Sequence, residues 1–544
     1  MDMKKLSLTF LLTGFAIFLV AQSPLEIRHN DLRAFLSPAN GALAHPGNRP
    51  WMTLEREQQL VSLAYNAGFW FGGLDEAGEL YVATAFYALP NPSSESDKVW
   101  YVTAGEVLSH IEDFEDNGVV DDPSPAVFSW PGKGNPFFSE YNDGIELAPD
   151  TFSPDFFDQN GDGIYNPAEG DYPAMSVRGC NNTYIPTQLG WSPIQQNRIL
   201  QGDTVTALQG GLSLYTISCD GDHPLNDVVY ARYKLENVSP SSYQDAYLGV
   251  VADPDIGCHE NDYVGSFPDR LTAFAYDAPS AANLCPGNVP VFVDNPPFWG
   301  MDLYPGSLGA MLAADAEARI HYYHKSGNQG AGIEMFDPTS AMQFYNYLKG
   351  QWRDGSPLTV GGNGYGGEEA TNFAFPGLPE QEGGWTEVEA ENSPGDRRVL
   401  TSVGPFEFQP GEVHEFTLAF TYYESSGDLN SKAEGLRGQV DVLQGIYDDC
   451  MEIPSDCAQV INSAPAHSMP ALDLAVYPNP AQDLLYIEST ELPQKLVLID
   501  QMGRPVLQAQ QQMHLNVQGL PAGLYHLRLR FDGQWVSRKV VLQP

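Results

Sequence analysis

One stretch of the sequence carries side chains whose types and spacing suit the binding of a metal ion. The residues concerned are Asp158, Asn160, Asp162, Gly163, Ile164 and Glu169. Calcium takes about six to eight oxygen ligands, and short acidic or amide side chains at alternate positions of a tight loop can all point inward. Gly163 permits the sharp turn, the main-chain carbonyl of Ile164 offers another oxygen, and Glu169 can supply two more. The spacing therefore predicts a calcium site.

This stretch resembles the calcium loops of EF-hands and dockerins, residue type by residue type. The paired helices of those families are not expected, because residues 152–157 are typical of an extended segment, although Pro167 suits the start of a helical turn. Asp171 is a candidate alternative ligand. The same composition suits a hydrogen-bonded Asx turn without an ion, and that alternative stays open. If calcium binds, we expect a structural role and not a sensory one.

Two other acidic clusters are candidates for a second cation or are simply solvated loops. The first surrounds Gly257 and comprises Asp253, Asp255, Glu260 and Asp262. The second lies on both sides of Asn117-Gly118 and comprises Glu112, Asp113, Glu115, Asp116, Asp121 and Asp122. Neither has the regular spacing of the first stretch, so both alternatives stay open.

Signatures of catalysis are missing from the sequence. The zinc-protease pattern H-E-x-x-H, the nucleophile pattern G-x-S-x-G and the phosphate-binding pattern G-x-x-x-x-G-K-[ST] do not occur. His321 and His324 would point to opposite faces of a strand, and the glycine-rich run 361–367 is predicted to be a loop. We therefore expect no catalytic residues and no organic cofactor. A pair of glycosidase carboxylates cannot be recognised in so acidic a chain.

The charge of the chain limits its partners. Its 544 residues include 27 basic and 70 acidic ones, giving a formal net charge of −43. Such an excess repels nucleic acid and anionic membrane surfaces and attracts cations, while acidity also serves solubility alone in many secreted proteins. From Leu472 to Pro544, six acidic residues balance six basic ones. The acidic excess therefore lies upstream, which marks this tail as a separate module.

The region from residue 22 to about residue 455, called the cargo below, is predicted to be mainly β. Short alternating runs, such as residues 80–83, 228–233 and 416–420, are typical of strands separated by long loops. Two helices are also predicted, each packed on a sheet. The first follows Asp337-Pro338, with a shared apolar face made of Ala341, Phe344, Tyr345, Leu348 and Trp352. The second spans about residues 430–447 and is weakened by Gly435 and Gly438.

Residues 471–544 are predicted to form a small Ig-like antiparallel β-sandwich of about seven strands. Apolar side chains alternate with polar ones, and the predicted inward set includes Leu484, Tyr486, Leu496, Leu498, Leu527, Leu529, Val540 and Leu542. Asp532-Gly533 suits a tight hairpin turn between the last two strands.

Three motifs in this tail also carry a resemblance to a known family. They are YPNP at 477–480, D-x-x-G-R at 500–504 and LPAGLY at 520–525. In this order they resemble the type A sorting domain of the type IX secretion system of Bacteroidota. The resemblance implies handling by that machinery and export across the outer membrane. It further implies removal of the tail, with the cargo released or attached to surface lipopolysaccharide.

The cargo resembles a recurrent group of exported Bacteroidota proteins without an assigned biochemical role. The likeness lies in phrases such as Phe69–Leu80, Phe157–Pro173 and Asn392–Glu412. This likeness indicates that the cargo is one large structural unit, and it implies no biochemical activity.

The N-terminal residues have the layout of a signal peptide. Lys4 and Lys5 precede an apolar run that ends at Val20, and cleavage is expected after residue 21. No second long apolar segment follows, so no transmembrane segment is expected after its removal. Residues 456–470 are predicted to be a linker, because they are small, polar and proline-bearing. The expected localisation is the outer cell surface or the medium.

Six cysteines in an exported chain predict disulfides. They are Cys180, Cys219, Cys258, Cys285, Cys450 and Cys457. Cys450 with Cys457 closes the shortest loop, Cys258 with Cys285 is a plausible pair, and the other pairings stay open.

These features together predict an exported, non-catalytic protein that is stiffened by calcium and acts as a structural, adhesive or glycan-binding protein. The alternative is a secreted hydrolase that acts on polysaccharide or protein.

Overall fold

A computed structural model describes two parts of the chain. The first is residues 25–453 with Cys457, and its gaps are 38–39, 46, 87–97, 149–150, 181, 201–202, 279–289, 293–294, 310–315 and 328–330. The second is residues 475–543, with gaps at 490–491, 500–504, 510 and 532–533. The predicted signal peptide, 1–21, and nearly all of the predicted linker lie outside the described residues.

The cargo is built on two large antiparallel sheets. Strands are numbered in chain order, and the nine of the first sheet are β1 (Leu25–His29), β2 (Leu32–Leu36), β3 (Ala42–Ala44), β4 (Met52–Arg56), β5 (Gln59–Leu74), β6 (Leu80–Thr84), β15 (Tyr243–Pro254), β19 (Glu317–His324) and β20 (Arg397–Phe408). They lie in the order β1-β2-β4-β5-β15-β20-β19, with β3 and β6 also paired to β5.

The second sheet has eight strands. They are β7 (Trp100–Thr103), β12 (Gln188–Leu200), β13 (Asp203–Thr216), β14 (Val228–Asn237), β16 (Asp262–Phe267), β17 (Thr272–Asp277), β18 (Phe298–Leu303) and β21 (Val413–Tyr423). Their spatial order is β16-β17-β18-β21-β14-β13-β12-β7. The prediction of a mainly β cargo is confirmed.

The two sheets pack face to face through an aromatic core. Ring centroids of Trp51 and Phe420 lie 5.0 Å apart, and those of Phe69 and Tyr233 lie 5.8 Å apart, both edge to face. Strand residues alternate between faces, so Tyr233 points into this core while its neighbour Arg232 points to the opposite face of the second sheet. That opposite face is also buried, because a further layer covers it.

The covering layer consists of helices and short strands that the second sheet carries on its outer face. Its elements are α1 (Ala104–Asn117), α2 (Pro125–Phe128), α3 (Phe138–Tyr141), β8 (Phe156–Phe157), β9 (Tyr172–Pro173), β10 (Met175–Ser176), β11 (Thr183–Tyr184) and α6 (Leu429–Asp448). They share a second apolar cluster with the sheet, in which Trp191, Tyr215 and Tyr230 are buried. The cargo therefore has three layers: the first sheet, the second sheet and this covering layer.

Both predicted helices are present. Helix α6 occupies Leu429–Asp448 and packs on β18 and β21, and Gly435 permits this because a Cβ there would lie 2.1 Å from the ring of Tyr423. Helix α5 occupies Ala341–Leu348, so placing Trp352 on it was wrong. Trp352 lies in the following turn, where its indole nitrogen donates to the carbonyl of Gly364 at 2.9 Å. The remaining short helix, α4, spans Pro305–Leu308.

Helix α1 was not predicted from the sequence, and its acidic residues were expected to bind a second cation or to lie in a solvated loop. Thr103 and Glu106 form a capping box at its start, and Gly118, with φ of 79°, ends it. This pair is the signal that could have located the helix. The acidic side chains lie mostly on its exposed face and in the turn beyond it, so this cluster is a solvated helix end.

The tail is a separate small sandwich of seven strands in a three-stranded and a four-stranded sheet. The strands are β22 (Ala475–Tyr477), β23 (Leu484–Glu488), β24 (Lys495–Ile499), β25 (Pro505–Ala509), β26 (His514–Asn516), β27 (Gly523–Phe531) and β28 (Gln534–Leu542). Phe531 pairs with Gln534, so β27 and β28 form the expected hairpin. Its turn residues, Asp532-Gly533, lie outside the described residues.

One register in the tail differs from the prediction. Leu485 and Ile487 are buried in the core of the tail, whereas the side chain of Tyr486 is 45% exposed and stacks on Tyr477 at 6.0 Å. In the sequence Leu484-Leu485-Tyr486-Ile487, both the odd-numbered and the even-numbered residues are apolar. The alternation of the strand therefore cannot show which of its two faces points inward. The aliphatic pair fills the core, and the ring stays at the surface.

The disulfides also differ from the predicted pairing. Cys180 is bonded to Cys450, and Cys219 is bonded to Cys457. The expected Cys450–Cys457 closure is therefore wrong, because the fold brings each of these residues against a partner more than 200 positions away. Cys258 is also disulfide-bonded, and Cys285, its expected partner, lies outside the described residues.

Within the part of the chain that the structure describes, no helix combines the length and apolar composition needed to cross a bilayer.

The register of β23 is tested by comparing two truncations. Leu485→Ala should destabilise the tail by about 2–5 kcal/mol, because it removes a fully buried side chain from a small core, and Tyr486→Ala should cost less than about 1 kcal/mol. The rate of limited proteolysis within the tail of the full chain, followed by mass spectrometry, reports the difference. Equal rates for the two variants would contradict the observed register.

Candidate metal site

The predicted calcium stretch is an exposed loop on a short two-stranded base. Strands β8 and β9 pair at the two ends of the loop, and the rings of Phe157 and Tyr172 stack at 4.7 Å. The short strand β8 leads into the loop, which confirms the prediction of an extended approach, and a 3-10 turn forms its last three residues, Pro167–Glu169. The loop therefore resembles an EF-hand loop closed by strands.

Asp158 organises the first half of the loop. Its two carboxylate oxygens accept hydrogen bonds from the main-chain N–H groups of Gly161 and Gly163, each at 2.7 Å. Gly163 has φ of 77°, a conformation that favours glycine. These bonds curl the chain so that the side chains of the following residues converge.

Asn160, Asp162 and Glu169 meet in the second half of the loop. The amide nitrogen of Asn160 donates to Asp162 Oδ2 at 3.2 Å and to Glu169 Oε2 at 2.7 Å. The main-chain N–H of Ile164 donates to Asp162 Oδ1 at 2.8 Å. Sequence reasoning thus chose residues that the fold brings together, and their donor set, all oxygen and rich in carboxylates, fits a hard cation such as calcium.

Asp171 closes the neck of the loop. It is fully buried, and its two oxygens accept hydrogen bonds from the main-chain N–H groups of Gln159 at 2.8 Å and Asn166 at 2.7 Å. Burial raises the pKa of Asp171 to about 6, and the charges of Asp158 and Asp162 add to the rise. Because Asp171 is buried at the neck, away from the exposed oxygens of Asp162 and Glu169, it is better suited to positioning the loop than to binding an ion.

Tyr165 anchors the loop to the covering layer. Its side chain is fully buried, its hydroxyl donates to the carbonyl of Val127 at 2.7 Å, and its main-chain N–H donates to the carbonyl of Lys133 at 2.8 Å. The ring also lies edge to face against Phe156 at 5.2 Å. The exposed ligand candidates are therefore carried by a backbone that is fixed on both sides.

A buried ion network attaches this layer to the second sheet. Arg232, on the outer face of β14, donates to Asp155 and to Glu415 at 2.7 Å each, and its side chain is 4% exposed. It also donates to the carbonyl of Ser176 at 2.8 Å, and Lys234 forms an ion pair with Asp155. Asp155 precedes the loop and Ser176 follows it, so Arg232 holds both ends of the segment.

Protonation of Asp155 should weaken this attachment. Burial alone would raise its pKa, but Arg232 and Lys234 hold it well below the ordinary value of 3.8. A carboxyl whose pKa is depressed by folding contributes stability at neutral pH and loses it as the pH falls below the unfolded value.

We therefore predict that Asp155→Asn lowers the free energy of unfolding by about 2 kcal/mol at pH 7. This is less than the ~3–5 kcal/mol of a fully buried broken pair, because Asp155 is partly exposed and Arg232 keeps Glu415. The difference from the unaltered chain should shrink at pH 3. Chemical unfolding followed by tryptophan fluorescence at both pH values measures it, and Asp143→Asn, at an exposed position, is the control. A difference that does not change with pH would contradict the assignment.

The other metal candidates behave differently. His321 and His324 are both buried on β19 and have different neighbours. His321 packs edge to face on Trp352 at 4.6 Å, while the Nδ1 of His324 lies 2.8 Å from the guanidinium of Arg397. In the cluster around Gly257, Asp253, Asp255 and Asp262 are buried, but Glu260 is 52% exposed. Glu260 is therefore separated from its predicted companions.

Calcium binding by the loop stays a prediction with a direct test. We expect calcium to raise the thermal midpoint of the cargo by several degrees, because it neutralises carboxylates that converge on a fixed backbone. Asp162→Ala should reduce this increase. Glu382→Ala, which deletes an exposed charge elsewhere, should retain it. Differential scanning fluorimetry with calcium and with chelator makes the comparison, and identical curves in both buffers would refute the site.

Comparisons with known proteins bear mainly on the tail. Residues 475–543 match the family model of the secretion system C-terminal sorting domain. No curated protein matches the chain. Among solved structures, a polysaccharide lyase is similar at a TM-score of 0.18 and 8% sequence identity, over 71% of this chain and 39% of the lyase. The chain thus spans about two fifths of that protein's length.

The seven-strand sandwich, the ordered motifs and the family match agree with one another. Residues 475–543 are therefore a type IX secretion C-terminal sorting domain, and the chain is an exported protein destined for the outer cell surface or for release.

Proposed function

We propose that the cargo is a non-catalytic, calcium-stiffened binding protein of the cell exterior, with glycans as its ligands. The observation that carries this proposal is the loop of residues 158–169, whose oxygen donors converge on a backbone that Tyr165 and Arg232 hold in place. A calcium ion there would rigidify the surface around the loop. A rigid surface lowers the entropic cost of binding a ligand.

A cleft beside the loop supports a small-ligand role. It has a volume of about 280 Å³, just below the ~300–1,000 Å³ of typical small-molecule pockets. Its lining includes Ile111, Phe114, Glu115, Phe157, Gln159 and Tyr172. Phe114 is half-buried and offers part of its ring to the apolar face of a sugar, and the exposed Glu115 and Gln159 offer polar groups to its hydroxyls. Gln159 belongs to the loop, so calcium at the loop would also order one wall of the cleft.

Glycan binding is tested with the purified cargo on a polysaccharide and oligosaccharide array. We expect binding that weakens at least about tenfold in Gln159→Ala and in chelator, because both remove or loosen one wall of the cleft. Asp116→Ala, which deletes an exposed charge of α1, is the matched control. Binding that is unchanged by chelator and by Gln159→Ala would refute the proposal that the glycan binds in this cleft.

The alternative, a secreted hydrolase acting on polysaccharide or protein, is separated in the same experiment. Product release from any polysaccharide or peptide substrate, abolished by changing a single carboxylate pair, would overturn the non-catalytic proposal. Binding without turnover supports it.

Removal of the sorting domain gives a test of delivery. A chain lacking residues 472–544 should accumulate in the periplasm, because the module handled by the outer-membrane machinery is missing. Cell fractionation with an antibody to the cargo measures the distribution, and the full chain is the control. Surface display of the shortened chain would contradict the assignment.

A further inference from the structure

Three carboxylates from distant parts of the chain meet at one end of the first sheet. Asp253 lies at the end of β15, Asp255 follows it, and Asp396 immediately precedes β20. One oxygen of each lies within 4.8 Å of the others. Their exposed fractions are 4%, 9% and 7%. Three acidic groups therefore share a small volume from which water is largely excluded.

The basic side chains nearby satisfy only part of this cluster. Arg398 donates to Asp253 Oδ2 at 2.9 Å and forms an ion pair with Asp396, and Lys325 lies 3.3 Å from Asp396 Oδ2. The Oδ1 atoms of Asp253 and Asp255 are buried and accept no hydrogen bond from any residue that the structure describes. Burying a carboxylate oxygen without a partner costs free energy. These two atoms therefore indicate that a positively charged group is missing from the cluster.

The same turn brings further oxygens close by. Asp262 is fully buried, its Oδ1 accepts from the main-chain N–H of Ile256 at 3.2 Å, and its Oδ2 has no partner among the described residues. The side-chain oxygen of Asn261 is also buried without one. The disulfide at Cys258 lies within this turn and restricts it covalently.

The local charge balance is strongly negative. Four carboxylates lie around Arg398, those of Asp253, Asp255, Asp337 and Asp396, against the two cations Arg398 and Lys325. Four negative charges less two positive ones leave −2, which a divalent cation would balance. The ionised cluster is thus costly without a further cation.

We propose that the cluster of Asp253, Asp255 and Asp396 is a buried structural calcium site. A donor set made only of oxygens favours a hard cation. Oxygens that lie within 4.8 Å of one another can all reach one calcium ion, since calcium–oxygen distances are about 2.4 Å. The ion joins the ends of β15 and β20 to the turn before β16. The site stands apart from the loop of residues 158–169 and does not rest on the function proposed above.

Counting bound calcium in the full chain tests this site. After dialysis against calcium and removal of free ion, elemental analysis should give two calcium ions per unaltered chain. Asp255→Asn and Asp162→Ala should each retain one, and the double variant none. Glu260→Gln, an exposed acid of the same turn, should retain two and serves as the matched control.

Thermal unfolding gives an independent readout. In chelator, Asp255→Asn should unfold at or above the midpoint of the unaltered chain, because it removes a buried charge. It should also show a smaller calcium-induced rise than the unaltered chain.

The outcomes separate the two sites. If Asp162→Ala retains no calcium, or Asp255→Asn retains the same count as the unaltered chain, the buried site is refuted. If the unaltered chain and Asp162→Ala both retain one ion, the buried site stands and the exposed loop is empty. If Asp255→Asn fails to fold, the count for Asp162→Ala alone decides.

Discussion

The buried guanidinium of Arg232 is the interaction on which the arrangement of the cargo depends. A charge on the covered face of a central strand is tolerable only if carboxylates meet it there. One carboxylate, Glu415, comes from the neighbouring strand, and the other, Asp155, comes from the covering layer. These ion pairs fix the position of the covering layer on the second sheet. They therefore also fix the position of the exposed loop of residues 158–169, which is part of that layer.

Local patterns predicted much of the fold, and long-range contacts explain what they missed. Alternation found the strands, and the loop from Asp158 to Glu169 was recognised because its ligand candidates lie within twelve positions. The prediction of which face of β23 points inward was wrong, because Leu485 and Tyr486 are both apolar. Asp396 was not associated with Asp253, since only the pairing of β15 with β20 brings them together. Disulfide pairing failed for the same reason, because closeness in sequence favoured a bond that the topology excludes.

Buried carboxylates of this acidic chain occur in two kinds of surroundings. Around Arg232, buried carboxylates are matched by side-chain cations of the chain itself. Around Asp255, the matching is incomplete among the described residues, and burial keeps water from compensating. The chain has 27 basic residues against 70 acidic ones, so most acidic side chains have no basic side chain to pair with. The proposed calcium ions would supply the missing positive charge from outside the cell, which links the acidic composition to export.

The bond between Cys219 and Cys457 has a mechanical consequence. Cys457 lies beyond the end of α6 and ahead of the sorting domain, while Cys219 follows β13 in the second sheet. A pulling force applied through the tail reaches the sheet through this covalent bond and bypasses α6. The helix is thus shielded from load, and cutting the chain after Cys457 leaves the C-terminal end of the cargo bonded to the second sheet.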